Sequence, residues 1–241
     1  MPQRNTVKRY VAGGYYHVYN RGVEKRTIFM DDRDYFRFLH DLYEFNDSNP
    51  TPPSNIRLKT RTPSQCLEVS PPNIEKRRSR MVDILAFCLM PNHFHLLVRQ
   101  GPDHGITRFM QKVGTGYTMY FNQRNERVGP LFQGKFKSIL VQENRYLRHL
   151  YNYIHLNPLD LLAPSWRENQ VKDTSRALSF LNNYRWSSYL DYIGNKNFPS
   201  ILDKVLALEI FGNERSYSKN INEWLANMEK NYADFSSLTL E

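Results

Sequence analysis

The sequence predicts an α+β fold, a ferredoxin-like antiparallel sheet with helices on one face, followed by a small C-terminal helical appendage. Runs rich in β-branched and aromatic residues alternate with runs in which apolar residues recur at helical spacing, in the order β-α-β-β-α-β-α. Two strand runs are separated only by Pro91-Asn92, which favours a tight antiparallel turn. A chain of 241 residues is also long enough to bury a sizeable core.

The first third of the chain predicts one strand, one helix and a basic insertion. Residues 15–22 are rich in strand-forming side chains and close on a glycine. Residues 31–45 begin with acidic residues, which favour a helix N-terminus, and then repeat apolar residues at helical spacing. Residues 46–80 hold six of the 13 prolines and seven basic against three acidic residues. We expect a long, mobile surface insertion there, either a solvated loop or a nucleic-acid contact.

The middle of the chain predicts a strand pair, a long helix and a fourth strand. Residues 81–90 and 93–100 are apolar and rich in strand formers, so they are expected to pair as antiparallel neighbours. Residues 105–124 repeat apolar side chains at helical spacing. Two glycines inside that helix predict a kink or close packing against another backbone. The fourth strand is expected to begin near Lys135.

The last part of the chain predicts one further helix of interest and an appendage. Residues 144–159 predict a helix ending at Asn157, because the residue before a proline is pushed out of the α region. Residues 195–241 carry five basic and seven acidic residues with one amphipathic helix. We therefore divide the chain into a domain of residues 1–194, which contains the insertion, and this C-terminal appendage.

Composition favours a polyanionic partner in a reducing compartment. The chain has 33 Lys and Arg against 24 acidic residues, a formal charge of +9, which indicates nucleic acid or an anionic membrane surface. No run approaches the roughly 18 apolar residues of a membrane span, and the first ten residues lack a signal peptide's apolar stretch, so no membrane partner is expected. Cys66 and Cys88 are too few for a disulfide framework, which favours the cytoplasm.

The segment MPNHFHLLV, residues 90–98, contains two His residues that are candidates for a functional site. Side chains alternate between the two faces of a strand, so His93 and His95 point one way while Phe94 and Leu96 point the other. Two imidazoles on one face can hold a metal ion between them. A His pair can equally line a half-polar surface without any further role.

The helix predicted over residues 144–159 has two stripes of different character. At about 100° per residue, the stripes lie about a quarter-turn apart. The apolar stripe contains Leu147, Leu150, Tyr151 and Ile154, and the polar stripe contains Tyr146, His149, Tyr153 and Asn157. Tyr151 is therefore expected in the core, whereas Tyr153 and Asn157 can reach a site beside the sheet. Tyr146 lies two turns earlier, about 10 Å along the axis, and His155 is expected to face elsewhere.

These side chains together suggest metal-assisted phosphodiester chemistry. The expected metal ligands are His93, His95 and Asn157, with His149 as a competing third ligand. A divalent ion so placed can act as a Lewis acid on a phosphate. The phenol of Tyr153 is the candidate nucleophile, since a phosphotyrosine ester conserves the energy of the broken phosphodiester. The alternative for Tyr153 alone is a packing role.

Basic residues near the predicted site are candidates for contacts with DNA. Residues 104–141 hold six basic residues and one acid, a local charge of +5. The expected DNA-binding residues are Arg21, Arg108, Lys112, Lys135 and Lys137. Tyr117 and Phe132 either stack on unpaired bases or belong to the core.

The same motifs resemble a known family of enzymes. MPNHFHLLV resembles the HUH motif of single-tyrosine transposases, and YNYIHLNPL resembles their nucleophile helix, with Tyr153 at the tyrosine and Asn157 four residues on. Related insertion-sequence transposases commonly carry Gln at the position of Asn157. The segments YHVYNRG, IFMDDRDYFRFL, GPLFQGKFKS and RWSSY make the chain most similar to the REP-associated tyrosine transposases, over roughly residues 14–192.

The resemblance implies an HUH-endonuclease-like enzyme that cuts and rejoins single-stranded DNA. Family members use Mg or Mn and recognise short hairpin-forming palindromes, so we expect a 5′-phosphotyrosine intermediate and a hairpin DNA partner. A monomer and a homodimer are both compatible with the sequence, and the expected location is the nucleoid in the bacterial cytoplasm. Two alternatives are a hairpin-binding regulator without turnover and a nickase similar to rolling-circle replication initiators, which often carry a second tyrosine.

Overall fold

A computed structural model gives the fold and describes residues 10–49, 78–102, 104–164, 166 and 173–227. The strands are β1 (Tyr15–Arg21), β2 (Val82–Met90), β3 (His93–Gln100) and β4 (Lys137–Val141). The helices are α1 (Asp32–Glu44), α2 (Gly105–Arg124), α3 (Asn144–Leu156), α4 (Thr174–Asn183), α5 (Tyr189–Tyr192), α6 (Val205–Phe211) and α7 (Glu214–Ala226). None of the helices in these ranges is long and apolar enough to cross a bilayer. Most of the expected insertion, and the end of the appendage, lie outside the described residues.

The four strands form one antiparallel sheet in the order β2-β3-β1-β4. Helix α1 connects β1 to β2, and α2 connects β3 to β4, which gives the β-α-β-β-α-β arrangement of a ferredoxin-like fold. The predicted fold class is therefore confirmed. The fourth strand begins at Lys137, two residues later than expected, and the helix that follows it ends at Leu156, immediately before Asn157.

Helices α1 and α2 cover one face of this sheet. Phe38 of α1 lies 4.9 Å from Phe94 of β3 and 5.0 Å from Tyr117 of α2, measured between ring centroids. Tyr117 is fully buried, and its hydroxyl donates a hydrogen bond to the carbonyl of Ile28. Phe132 is only 9% exposed. Both Tyr117 and Phe132 therefore belong to the core, and the base-stacking alternative for them is wrong.

Contacts at the end and in the middle of α2 hold α1 and α2 together. Arg124, at the end of α2, pairs with Asp31 and Asp34 at the start of α1. A Cβ atom added at Gly116 would lie 2.5 Å from the ring of Phe45, which follows α1. Close packing against α1, rather than a need for unusual backbone angles, therefore explains this glycine.

Helix α3 lies on the opposite face of the sheet, and the described part of the appendage packs against it. His155 of α3 shares hydrogen bonds with Tyr217 of α7 at 2.5 Å and with Ser188 at 2.7 Å. Asn220 of α7 donates a hydrogen bond of 2.7 Å to the side-chain oxygen of Asn152. The expectation of helices on one face thus describes α1 and α2, while α3 and α7 form a further layer on the other face.

Candidate active site

Side chains from β1 and β3 form an aromatic cluster on the face covered by α3. Tyr19 pairs with His95 in the antiparallel register, so their side chains share a face. The rings of His93 and His95 lie 5.0 Å apart with their planes at 89°. The ring of His17, from β1, stacks on His95 at 5.1 Å. The structure therefore brings the two predicted imidazoles together and adds His17 to them.

Hydrogen bonds orient both imidazoles. Nδ1 of His95 lies 2.9 Å from Nε2 of His17, and Nδ1 of His93 lies 2.6 Å from Oδ1 of Asn92. Nε2 of His93 lies 3.4 Å from Oδ1 of Asn157. Each imidazole is thus held through Nδ1, and His93 directs its other nitrogen toward the amide of Asn157.

Tyr153 reaches this cluster from α3. Its ring lies edge-on to His95, with centroids 5.5 Å apart and planes at 87°, and edge-on to His17 at 5.9 Å. Tyr151 instead packs against Phe211 of α6. The structure therefore separates the two tyrosines in the way that the helical stripes predict. Tyr153 is only 1% exposed, because α3 lies directly on the sheet.

Asn157 and His149 were the two candidates for the third metal ligand. Asn157 follows α3 directly, is fully buried and makes the contact with His93. His149 packs between Tyr153 and Trp224 of α7. Burial lowers the pKa of His149 to about 4, so this imidazole is neutral near pH 7. Asn157 thus contacts the His pair through His93.

The donor atoms of His93, His95 and Asn157 fit a divalent cation. Imidazole nitrogens and amide oxygens are both ligands of Mn, and oxygen is the ligand that Mg prefers. A His that binds a metal almost always uses its second ring nitrogen for an outer hydrogen bond, and both imidazoles here have such a bond at Nδ1. No group of three or more His, Cys, Asp or Glu suited to a metal occurs among the described residues.

An open pocket of about 110 Å³ lies in front of the two imidazoles. It lies at the end of β1 and the start of β4, and three of the five predicted DNA-binding residues line it. The lining consists of Tyr19, Asn20, Arg21, His93, His95, Gln133, Gly134, Lys135 and Lys137. Three cationic side chains beside two imidazoles make this pocket suited to the phosphates of a nucleic acid.

The other two predicted DNA-binding residues lie elsewhere. Arg108 and Lys112 are on α2, which covers the opposite face of the sheet. The ammonium group of Lys112 donates a hydrogen bond of 3.1 Å to the carbonyl of Asp47, at the start of the insertion. The structure therefore does not bring Arg108 and Lys112 to the imidazoles, and any contact that they make with DNA is outside this pocket.

Sequence reasoning did not single out His17 or Asn92 as site residues. His17 is 1% exposed, and burial lowers its pKa to about 3, so the side chain is neutral. A signal was available, because His17, Tyr19 and Arg21 occupy alternate positions of one strand and must share a face. The role of Asn92 depends on the turn between β2 and β3, and its residue type indicated only a turn.

Part of the chain matches a known protein family. Residues 71–157 match the family described as "Transposase IS200 like". A REP-associated tyrosine transposase solved with a REP hairpin is 14% identical with a TM-score of 0.48, over 83% of this chain and 92% of that chain. A Deinococcus radiodurans protein described as a transposase is 14% identical with a TM-score of 0.34, over 61% and 91%. No curated protein matches. The match to the IS200-like transposases thus covers residues 71–157, which hold both imidazoles, Tyr153 and Asn157, and it agrees with the resemblance that the motifs indicate.

Proposed function

We propose that this chain is a metal-dependent enzyme that cuts and rejoins single-stranded DNA through a 5′-phosphotyrosine on Tyr153. The observation that carries the proposal is the convergence of two elements on one face of the sheet. Strand β3 supplies His93 and His95, and α3 with the residue after it supplies Tyr153 and Asn157. The ring of Tyr153 lies 5.5 Å from that of His95, and Asn157 lies 3.4 Å from His93.

His93, His95 and Asn157 would hold a Mg or Mn ion. When bound, such an ion neutralises charge on a scissile phosphate and makes its phosphorus easier to attack. Two imidazoles favour Mn, whereas the amide oxygen suits either ion. The family match supports a divalent metal in general terms, and the choice of ion is part of the proposal.

The chemistry assigned to Tyr153 is an in-line exchange of one ester for another. The phenol loses its proton and its oxygen attacks the phosphorus, while the bond between phosphorus and the 3′ oxygen breaks and that oxygen takes up a proton to leave as a 3′-hydroxyl. The DNA fragment on the 3′ side of the cut is then bound to the tyrosine through its 5′ phosphate. Attack of a 3′-hydroxyl on this ester restores a phosphodiester and frees Tyr153, so the same site joins strands.

DNA must reach a phenol that is only 1% exposed. The pocket beside the imidazoles supplies an approach, because Arg21, Lys135 and Lys137 line it and can neutralise backbone phosphates. We propose that the substrate strand lies along this pocket. Its binding must also open the contact between α3 and the sheet far enough for the phenol to meet a phosphate.

The motifs shared with REP-associated tyrosine transposases support short hairpin-forming palindromes as the substrate class. The same motifs support the nucleoid of the bacterial cytoplasm as the place of action. A monomer and a homodimer are both compatible with them. The burial of Tyr153 favours one second candidate, a hairpin-binding regulator without turnover. In that protein the pocket would bind DNA while the phenol stayed covered.

A single assay distinguishes the two candidates. Hairpin DNA with a single-stranded flank, labelled on its 3′ side, is incubated with the protein in Mn and, in parallel, with excess chelator. Analysis on a denaturing protein gel should give a labelled protein band with Mn and none with chelator. Retarded DNA on a native gel, with no covalent band under either condition, would support the regulator and contradict the enzyme.

A further inference from the structure

We propose that Asn92 and His17 are positioning residues that hold His93 and His95 as their Nδ1-protonated tautomers, so that both Nε2 atoms present lone pairs to one cation. The inference concerns residues outside the predicted metal-ligand set, and it rests on the metal-dependent function proposed above. A neutral imidazole carries one N–H, and only the bare nitrogen can bind a metal. The group that contacts Nδ1 therefore decides whether Nε2 is available.

The orientation of the Asn92 amide fixes the proton of His93. Nδ2 of Asn92 donates a hydrogen bond of 3.3 Å to the carbonyl of Lys25, so this end of the amide is the nitrogen. Oδ1 consequently faces Nδ1 of His93 at 2.6 Å. An amide oxygen only accepts hydrogen bonds. Nδ1 of His93 must therefore carry the proton, and Nε2 must carry the lone pair.

This tautomer determines which groups face each other in the contact between His93 and Asn157. Nε2 of His93, now an acceptor, lies 3.4 Å from Oδ1 of Asn157, which is also an acceptor. Two lone pairs that face each other are unfavourable by themselves, and a cation that both atoms bind stabilises them. The pair of acceptors therefore supports Asn157 as the ligand that acts with His93.

His17 has the corresponding role for His95, which is to hold the tautomer that is protonated at Nδ1. Only one proton can lie between Nε2 of His17 and Nδ1 of His95, 2.9 Å apart. With the proton on His95, its Nε2 is bare and can bind a metal, and His17 carries its own proton on Nδ1. With the proton on His17, His95 carries Nε2–H and cannot bind. The metal-dependent function proposed above requires the first arrangement, in which the buried His17 is the acceptor.

A turn that follows β1 anchors Asn92, and its backbone has an unfavourable conformation. Glu24 and Lys25 have φ of 54° and 58°, in the left-handed region that residues other than glycine seldom adopt. The same turn anchors Asn92 twice, through the Lys25 carbonyl and through the backbone N–H of Gly22, which donates to the Asn92 carbonyl at 2.9 Å. The first anchor fixes the side-chain amide of Asn92 and the second fixes its backbone, so together they hold the amide beside His93.

The first test is made on the unaltered protein. Long-range proton–nitrogen NMR of the full chain, prepared without metal at pH 7.5, reports which ring nitrogen of each His carries the proton. We expect Nδ1–H on both His93 and His95. Nε2–H on either residue would overturn the assignment for that residue, and no variant is needed to reach this result.

The second test measures Mn binding by electron paramagnetic resonance, without any DNA or turnover. Asn92→Ala and His17→Phe remove the acceptor and should weaken Mn binding 10- to 100-fold, the usual effect of losing an outer hydrogen bond. Asn92→Asp and His17→Gln keep an acceptor oxygen and should stay within about threefold of the unaltered protein. Equal affinities within each pair would overturn the proposal. Absence of Mn binding by the unaltered protein would contradict the metal-dependent function itself, and the NMR result would still decide the tautomers.

Discussion

The ring of Tyr153 stands edge-on to the ring of His95, with centroids 5.5 Å apart and planes at 87°. The two residues come from α3 and β3, which are separated by a long helix and a strand in the chain. Tyr153 is the candidate nucleophile and His95 is a candidate metal ligand. The fold therefore places the two groups that the proposed chemistry needs next to each other.

Removing either imidazole of the pair should abolish cleavage while DNA binding persists. His93→Ala and His95→Ala each remove one metal ligand, whereas the cationic side chains of the pocket are unchanged. We expect loss of the covalent adduct and of strand joining, with the dissociation constant for hairpin DNA within about threefold of the unaltered protein. Cleavage and binding are measured on the same labelled hairpin.

His104→Ala is a matched control, because it removes an exposed imidazole at the start of α2. This variant should cleave normally. Cleavage by His93→Ala or His95→Ala that persists in excess chelator would contradict the metal assignment. Loss of the folded state in both variants, seen by circular dichroism, would support a structural role for the pair.

Cations that line the pocket should contribute more to DNA affinity than those on α2. Lys135→Ala combined with Lys137→Ala removes two cations beside the imidazoles. If each contacts one phosphate, the slope of log affinity against log salt should become shallower by about 1.4, since each phosphate on a single strand contributes about 0.7. Fluorescence anisotropy with single-stranded DNA at several salt concentrations measures this slope.

Arg108→Ala combined with Lys112→Ala is the charge-matched control on the opposite face of the sheet. It should leave the slope unchanged. A shallower slope for this pair, with none for the pocket pair, would place the DNA on α2 and contradict the proposed path of the strand.

The buried His155 should make stability depend on pH. Burial lowers its pKa to about 3, below its ordinary value of 6.5. Between these values the unfolded chain binds a proton that the folded chain excludes, so the free energy of unfolding falls as pH drops below about 6.5. One such His contributes up to about 1.4 kcal/mol per pH unit. Urea unfolding from pH 7.5 to 4.5 measures the slope.

His155→Gln isolates this contribution, because Gln can hydrogen-bond to Tyr217 and Ser188 but does not titrate. The slope below pH 6.5 should decrease by up to about 1.4 kcal/mol per pH unit, and the remaining slope would come from the buried His17 and His149. Identical slopes for the variant and the unaltered protein would contradict the burial of a neutral His155.

Much of the sheet could be predicted from local patterns. The alternation of apolar and polar residues placed His93 and His95 on one face, because that relationship depends only on strand geometry. The helical stripes likewise separated Tyr153 from Tyr151, since both lie on one regular helix. Both predictions depend only on residues that are close in the sequence. They hold because β3 is a regular strand and α3 is a regular helix in the structure.

The parts that could not be predicted depend on contacts between distant segments. Every described side chain of α3 from Tyr146 to Leu156, except Arg148, is buried, because α7 covers the side of the helix that faces away from the sheet. The helical stripes predicted only that His155 faces elsewhere, and they did not predict what it contacts. The partnership of His17 with His95 was also missed, since it depends on the register between β1 and β3. The placement of Lys112 on the far face follows from the packing of α2.

Removing the phenol oxygen of Tyr153 tests whether this residue is the nucleophile. Tyr153→Phe removes a single oxygen and keeps the ring against His95 and His17, so stability should change by no more than about 1 kcal/mol. Tyr151→Phe and Tyr146→Phe remove the same atom from neighbouring tyrosines of α3. Each protein is incubated in Mn with hairpin DNA labelled on the 3′ side, and covalent adducts are separated on a denaturing protein gel. We expect a labelled band for the unaltered protein and both control variants and none for Tyr153→Phe, whereas a labelled band from Tyr153→Phe would contradict the assignment of Tyr153 as the nucleophile.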